Sequence, residues 1–579
     1  MALTDDLLPP LGTELREADA LATTALLNCL IREVARPAGP EGLPGPGPSA
    51  GPGEPAGFGE SAWPRKSAWL GEPAGFEGFA GSGESAGSGK LAGSGESAGR
   101  GVFLLPATGH VLRVGGTRHP AAPALLTPEG WCPLPLPELV ALTAAELRAG
   151  TGAGNDALPA EILDSRDVTA ALLAARRAAA PPADAYLRSE QALVAGHRHH
   201  PAPKTRGGAG PGSWLRYSPE ARASFPLPLL GVPAGDLVQE GDVSALDRLG
   251  GPPGDGLALL PAHPWQLELL GGPRHDRLRR LGVTTVMAVP TASIRTVYLP
   301  EVDLFCKFSL DVRITNDVRR LWLHDLRRLT AVAELVDGVF DDLPDHLPRP
   351  AVLRDRGWRG AELDGDGGEG LAVIVRDGLR ERLRPGTTAL LAAGISEGFT
   401  GNPLDGLDED TALLWWQRYL EHVVPPVLHA YLHHGVVLEC HLQNVLVAVD
   451  ASGLPAQALY RDYEGVKLVA ERHPWPGGPV LERRRAWERL VYCLLTNNLC
   501  EIAGAVAERH PRVRAEMWAR ARAVFAGAAK EHGDPDELRE LLAAAYIPAK
   551  ANLLLRWLEA DGAAMRWVPI PNPLRPPGS

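Results

Sequence analysis

The chain has 579 residues, more than one hydrophobic core usually serves, so two or three domains are expected. Its 58 Lys and Arg against 70 Asp and Glu give a net charge of −12, which excludes a generally basic nucleic-acid binder but leaves room for a local anion pocket. Six cysteines without a C-x-x-C pair exclude a zinc ribbon and a disulfide-dense secreted scaffold.

The opening MALTDDLLPP is acidic and has no signal-peptide apolar stretch, and no run of about 18 apolar residues follows. A cytoplasmic protein without a membrane span is expected. Residues 13–36 read as a helix, with Leu21, Ala25, Leu26 and Leu30 at helical spacing. From Gly53 to Arg100 the chain runs in six-residue units such as GEPAGF and GESAGS. A β-helix with that period needs an aliphatic residue in register in every turn, and these units have none. A disordered Gly/Ser/Pro-rich insert over 41–101 is expected instead. Gly89-Lys90 imitates a phosphate-binding loop, but Glu84 stands where Gly is needed and Leu91 where Ser or Thr is needed.

Structure is expected to resume at Val102, with helices near 136–149 and 167–179. Next comes GHRHHPAPKTR over 196–206, which reads either as a solvated basic loop or chance metal site, or as an anion pocket. Residues 257–314 show short apolar runs broken by turns, the pattern of an antiparallel sheet. His263-Pro264-Trp265-Gln266 within it reads as wall or core rather than catalyst. Alternation puts Phe305, Lys307 and Ser309 on one strand face, opposite Leu304, Cys306, Phe308 and Leu310. Ser293 and Arg295 are expected to share a strand face, and Thr315 to cap a helix through Arg320 and Leu321. Together with Thr296, Asn316 and Arg319 these residues would cradle a polyanion; the alternative is edge-strand charge facing water.

After about 385 the pattern is mainly helical, with helices over 409–434, 482–509, 511–531 and 535–560. One β-like interruption carries Glu439-Cys440-His441-Leu442-Gln443-Asn444 and, about twenty residues on, Arg461-Asp462-Tyr463-Glu464. Carboxylates and an Asn brought together by a hairpin suit Mg²⁺ on nucleotide phosphates; a buried polar hairpin is the plainer reading. Protein kinases use a related Asn and later Asp, but Leu442-Gln443 stands where the kinase base would be. Cys440 reads as a hairpin core residue.

In this order the motifs resemble the IucA/IucC family of NRPS-independent siderophore synthetases. The carrying pieces are GHRHHPAPKTRGG (196–208), YSPE (217–220), HPWQ (263–266), TASIRT (291–296), KFSLDVRITNDVRR (307–320), LECHLQN (438–444), RDYEG (461–465) and PAKANLLLR (548–556). The resemblance implies an α+β, cupped-hand architecture: a helical thumb over 1–190 interrupted by the insert, sheet-based fingers over 191–385, and a mainly helical palm over 386–579. It also implies adenylation of a carboxylate of citrate or a related acid by Mg-ATP, then attack by an amine, hydroxylamine or alcohol. On matching positions, His197, His200, Lys204, Arg206, Ser293, Thr296, Lys307, Thr315, Asn316 and Arg319 would hold ATP and substrate. Arg295 would grip the reacting carboxylate, His441 would lie beside the adenylation centre, and Lys550 would reach the substrate. Glu439, Asn444 and Asp462 would support Mg²⁺ and nucleotide. A homodimer and small-molecule partners are expected, with no nucleic acid or membrane. Competing readings are a kinase-like phosphotransferase using the HLQN and RDYE segments, and a non-catalytic citrate- or siderophore-binding module.

Overall fold

A computed structural model describes residues 12–38, 100–271, 277–315, 317–362, 368–560 and 566–576. The insert expected over 41–101 falls almost wholly outside them, as does Asn316. The fold is α+β.

The N-terminal part pairs three helices with a five-stranded antiparallel meander. The helices are α1 (Gly12–Glu33), α2 (Leu136–Thr151) and α3 (Ala157–Ala178). Strands 36–37, 100–104, 111–115, 121–127 and 130–133 follow one another across the sheet. Leu26, Leu30, Leu139, Leu147 and Ile162 form the core between them. That core is completed from the far end of the chain by Leu553, Leu554, Trp557 and Val568. The sequence pattern around 535–560 suggests one helix, but the chain folds there as a helix over Asp536–Ala543, a strand over Tyr546–Lys550 and a short helix over Asn552–Trp557. The strand pairs antiparallel with 567–571. Pro548 lies within that strand and offers no backbone N–H, which excludes a helix interior.

The centre is an eight-stranded sheet whose neighbours all run antiparallel, in the order 237–241, 355–361, 373–377, 304–308, 296–299, 279–290, 225–233, 257–261. Alternation along Leu304–Phe308 works as expected: Leu304, Cys306 and Phe308 enter one core, and Phe305 packs on Tyr186 and Tyr298 in another. His263 and Trp265 are each 1% exposed within the first of these cores, as a wall reading requires.

Two local expectations fail. Ser293 and Arg295 do not lie on a strand; they occupy a turn that carries Ile294 at φ 59° and closes through Thr291 N–H donating to Thr296 O. Thr315 caps no helix. It sits at φ 60° between the short paired strands 313–314 and 317–318, and the next helix starts only at Leu323.

The C-terminal part is built on α4 (Glu409–His434), whose buried face includes Trp415, Trp416, Tyr419, Val423, Val424, Val427 and Leu428. It packs on a helix over Arg514–Glu531 and on the continuous helical stretch 483–509. By length and composition 483–509 is apolar enough to cross a membrane, contrary to the expectation from apolar runs. Two-thirds of its most apolar window is buried, and Leu494, Leu495, Leu499, Ile502 and Val506 belong to the main core, so it is a core helix. Strands 388–391, 445–449 and 455–461 with 351–353 form a small mixed sheet, and the 445–449/455–461 hairpin delivers the Glu439–Asn444 and Arg461–Glu464 segments to one place.

Candidate active site

The three parts meet at a cleft of about 1000 Å³. Fifteen arginines and lysines line it against seven carboxylates, in a chain that is acidic overall. All the described residues singled out from sequence line it: His197, His200, Lys204, Arg206, Ser293, Arg295, Thr296, Lys307, Thr315, Arg319, Glu439, His441, Asn444, Asp462 and Lys550.

Lys307 is the centre of the charge network. Its side chain, 3% exposed, projects from strand 304–308 and pairs with Asp462, and with Glu464 at 2.8 Å. Arg376, from the neighbouring strand, clamps Asp355 at 2.6 and 3.1 Å and reaches Asp462 Oδ1 at 3.2 Å. Burial opposes charge on Asp462, but Lys307 and Arg376 outweigh it and hold the carboxyl well below its usual range. Glu464 is lowered in the same way against its burial, by Lys307 and Arg295. Asp462 itself sits at φ 80°, which turns the chain sharply after strand 455–461.

Arg295 donates to the carbonyls of Arg319 at 2.9 Å and Arg320 at 3.3 Å, and its other terminal nitrogen lies 3.6 Å from Glu464. Arg319 donates to Thr315 Oγ1 and to Ile314 O, both at 2.9 Å, so it fixes the left-handed turn. Burial and the neighbouring Arg295 lower the Arg319 pKa. Two guanidiniums held this close are stabilised by an anion placed between them. Thr296 donates to Ser293 Oγ at 3.3 Å, which orients that hydroxyl in the turn.

On the opposite hairpin, Glu439 accepts from Arg489 at 2.7 Å and lies 3.8 Å from His441 Nε2. Asn444 donates toward Glu439 at 3.4 Å. A Cβ on Gly465 would overlap the Glu439 carboxylate, so the close approach of the two segments requires glycine. His441 Nδ1 accepts the Gln443 N–H at 3.2 Å. Burial holds the imidazole pKa down, so the neutral ring presents Nε2–H to this corner. Cys440 is 1% exposed, and burial drives its thiol far above the range of a reactive thiolate.

The trio Glu439, Asn444 and Asp462 does not make a free-standing magnesium centre. Both carboxylates already answer to cations, Glu439 to Arg489 and Asp462 to Lys307 and Arg376. Their oxygens suit a hard ion that arrives already carried by phosphates.

The basic loop divides by partner. Lys204 and Arg206 both pair with buried Glu220, at 2.5 and 3.3 Å. His199 accepts from Arg32 at 2.7 Å and neighbours Glu501, which also takes Arg198 at 2.8 Å. His200 is 1% exposed, and its Nδ1 accepts the Ala202 N–H at 3.1 Å. All three histidines line the cleft, His197 exposed, His199 half-buried and His200 buried. Burial and nearby Asp317 and Arg489 act on Lys550, with a net lowering of its pKa.

Sequence reasoning missed Arg32, Arg376, Arg489 and Glu501, and it gave Glu464 of the RDYEG motif no role of its own. It also missed that residues 492–499 form a π-helical stretch whose Tyr492, Cys493, Thr496 and Asn497 line the cleft. Such segments recur at functional sites, but none has a spacing signature readable in one sequence.

The IucA/IucC family model matches residues 185–397, and a family described as ferric iron reductase FhuF-like transporter matches residues 413–565. Similar curated proteins include the rhizobactin siderophore biosynthesis protein RhbC of Rhizobium meliloti, 28% identical over 65% of this chain and 72% of that protein. Another is the L-2,3-diaminopropanoate–citrate ligase of Staphylococcus aureus, 27% identical over 68% of this chain and 75% of that protein. Over residues 185–397 the chain is similar to the IucA/IucC family. Its fold agrees with that of aerobactin synthetase IucA from a hypervirulent pathotype of Klebsiella pneumoniae, with TM-score 0.74 and 20% identity over 96% of this chain and 100% of that one. The ATP-bound form of IucA superposes with TM-score 0.71 and 22% identity over 82% of this chain and 95% of that one.

Proposed function

We propose that this chain is a siderophore synthetase of the IucA/IucC family that adenylates a carboxylate of citrate or a related acid with ATP and condenses it with an amine, hydroxylamine or alcohol. The observation that carries the reading is the concentration of arginine and lysine in one cleft of an acidic chain. Attack of a carboxylate on an α-phosphate brings two anions together, and the repulsion peaks in the crowded transition state. Relatives named as citrate ligases and the ATP named for the IucA structure support the same chemistry.

In this reading Arg295, Arg319 and Lys307 hold the α-phosphate against the carboxylate, while Ser293, Thr296 and Thr315 orient the oxygens. His197 and His200, with Lys204 and Arg206 on the same loop, face the remaining phosphates; Lys550 reaches the acid from the C-terminal strand. The His441 Nε2–H donates to the developing charge and does not act as a base, because its Nδ1 is occupied. Glu439, Asn444 and Asp462 would hold magnesium arriving with ATP, and the ion would supply charge neutralisation for the departing pyrophosphate. The thumb, fingers and palm of the family architecture correspond in this proposal to the three parts around the cleft.

A kinase-like reaction is not favoured. Asp462 is held strongly ionised by Lys307 and Arg376, so it has little affinity for a hydroxyl proton. The deciding experiment supplies Mg-ATP with a panel of acids and amines. Acid-dependent pyrophosphate release, AMP formation and trapping of a hydroxamate by hydroxylamine are expected. ADP as the only nucleotide product would overturn the reading.

A further inference from the structure

Outside the cleft, four histidines and an aspartate converge at the C-terminal end of α4. His429 and His433 lie one turn apart along it, the first buried and the second exposed, and His434 ends the helix. His532 immediately follows the helix 514–531, and Asp342 comes from the loop after the helix Leu323–Asp337. None of the five lines the cleft. We propose that His429, His433 and His532 form a binding site for a divalent transition-metal ion of the zinc class.

One nitrogen from each of the three rings lies within 4.8 Å of the other two. His433 Nε2 and His532 Nδ1 are 2.9 Å apart. Two nitrogens on one tetrahedral zinc, with bonds of 2.0–2.1 Å, stand about 3.3 Å apart, so a few tenths of an ångström of movement admits the ion. His429 is oriented as metal-binding histidines are. Its side chain is 2% exposed, and its Nε2 lies 2.9 Å from Asp342 Oδ1. A carboxylate there fixes the proton on Nε2 and leaves the lone pair on Nδ1. That Nδ1 is buried and has no hydrogen-bond partner. Asp342 is held in turn by His434 Nε2 at 2.8 Å. Three imidazoles favour Zn²⁺, Ni²⁺ or Cu²⁺ over Mg²⁺ or Ca²⁺. His433 is exposed, so water has access to a fourth position. The ion would pin α4 to the helix 514–531, with the Asp342 loop as its outer support.

The test is calorimetric titration of the metal-free, full-length protein with Zn²⁺, repeated with Co²⁺ and read by visible absorption. One strong equivalent, the intense absorption of tetrahedral cobalt and a Zn²⁺-dependent rise in Tm are expected. Excess Mg²⁺ should not compete. His433→Ala and His532→Ala should each weaken binding at least about tenfold and abolish the Tm response, whereas His441→Ala in the cleft should retain the equivalent. Absence of a strong equivalent in the wild-type protein, or wild-type affinity in His433→Ala, would overturn the proposal. The exposed position of His433 makes that variant decisive even if His532→Ala does not fold.

Discussion

Lys307 has two roles that one substitution separates by readout. Its ammonium faces the site of charge development, and it also neutralises Asp462 and Glu464. Lys307→Ala should lower kcat/KM for pyrophosphate release by at least about 10²-fold. It should also lower stability in urea by about 3 kcal/mol, because two carboxylates lose their shared ammonium and keep only Arg376 and the more distant Arg295. Arg295→Ala should show the same kinetic loss. Asp462 carries a pH signature. Its folded pKa lies below the unfolded value of about 4, so its stabilisation is complete above that pH and is lost as pH falls below it. Asp462→Asn should therefore be less stable than wild type at pH 7, with the gap narrowing as pH falls from 5 towards 2. Its activity should need more Mg²⁺ to saturate. Urea unfolding across that range and a magnesium titration check both.

At the scale of elements, the π-helical stretch holds the hairpin from behind. Asn498 donates to Cys440 O at 2.9 Å and accepts from the Tyr419 hydroxyl at 2.5 Å, with no exposure to solvent. Asn498→Ala would leave both groups buried and unpaired, at a cost of about 1–3 kcal/mol each. Urea unfolding should register that loss, and activity should fall as Cys440 and the adjoining His441 shift. Elements set by their own periodicity were legible in the sequence. The span 409–434 reads as a helix residue for residue, and the alternation at 304–308 assigned each face. Thr315 was not legible, because its left-handed turn is held by Arg319 and by strand pairing rather than by local propensity. Arg376 and Arg489 were missed for a similar reason. Their meaning lies in Asp462, 86 residues on, and in Glu439, 50 residues back. Seven of the eight motifs line the cleft and HPWQ packs in a core, while the pairing of the cleft's cations had to come from the fold.

For the molecule as a whole, the long insertion enters and leaves at one point. Arg36 and Pro37 pair with Leu104 and Phe103, and Ala38 N–H donates to Val102 O at 2.9 Å. The residues between them therefore join two adjacent antiparallel strands. Replacing 39–99 with a short hairpin loop should leave Tm nearly unchanged and activity within about twofold, since closing a shorter loop costs less entropy. Thermal melts and pyrophosphate release check this, and loss of folding would show that the insertion contributes to the N-terminal core.

The C-terminal hairpin and helix bear on how the chain folds during synthesis. Glu33 accepts the N–H groups of Leu553 and Leu554 at 3.0 and 2.9 Å, and Asn155 donates to the carbonyls of Arg556 and Trp557. The ribosome delivers Leu553 520 residues after Glu33. Until then α1 has emerged with part of the surface around Leu26 and Leu30 uncovered. The N-terminal core must wait for a distant segment, so a chain stopped before residue 546 would carry an open apolar face on α1 and become a substrate for chaperones and proteases.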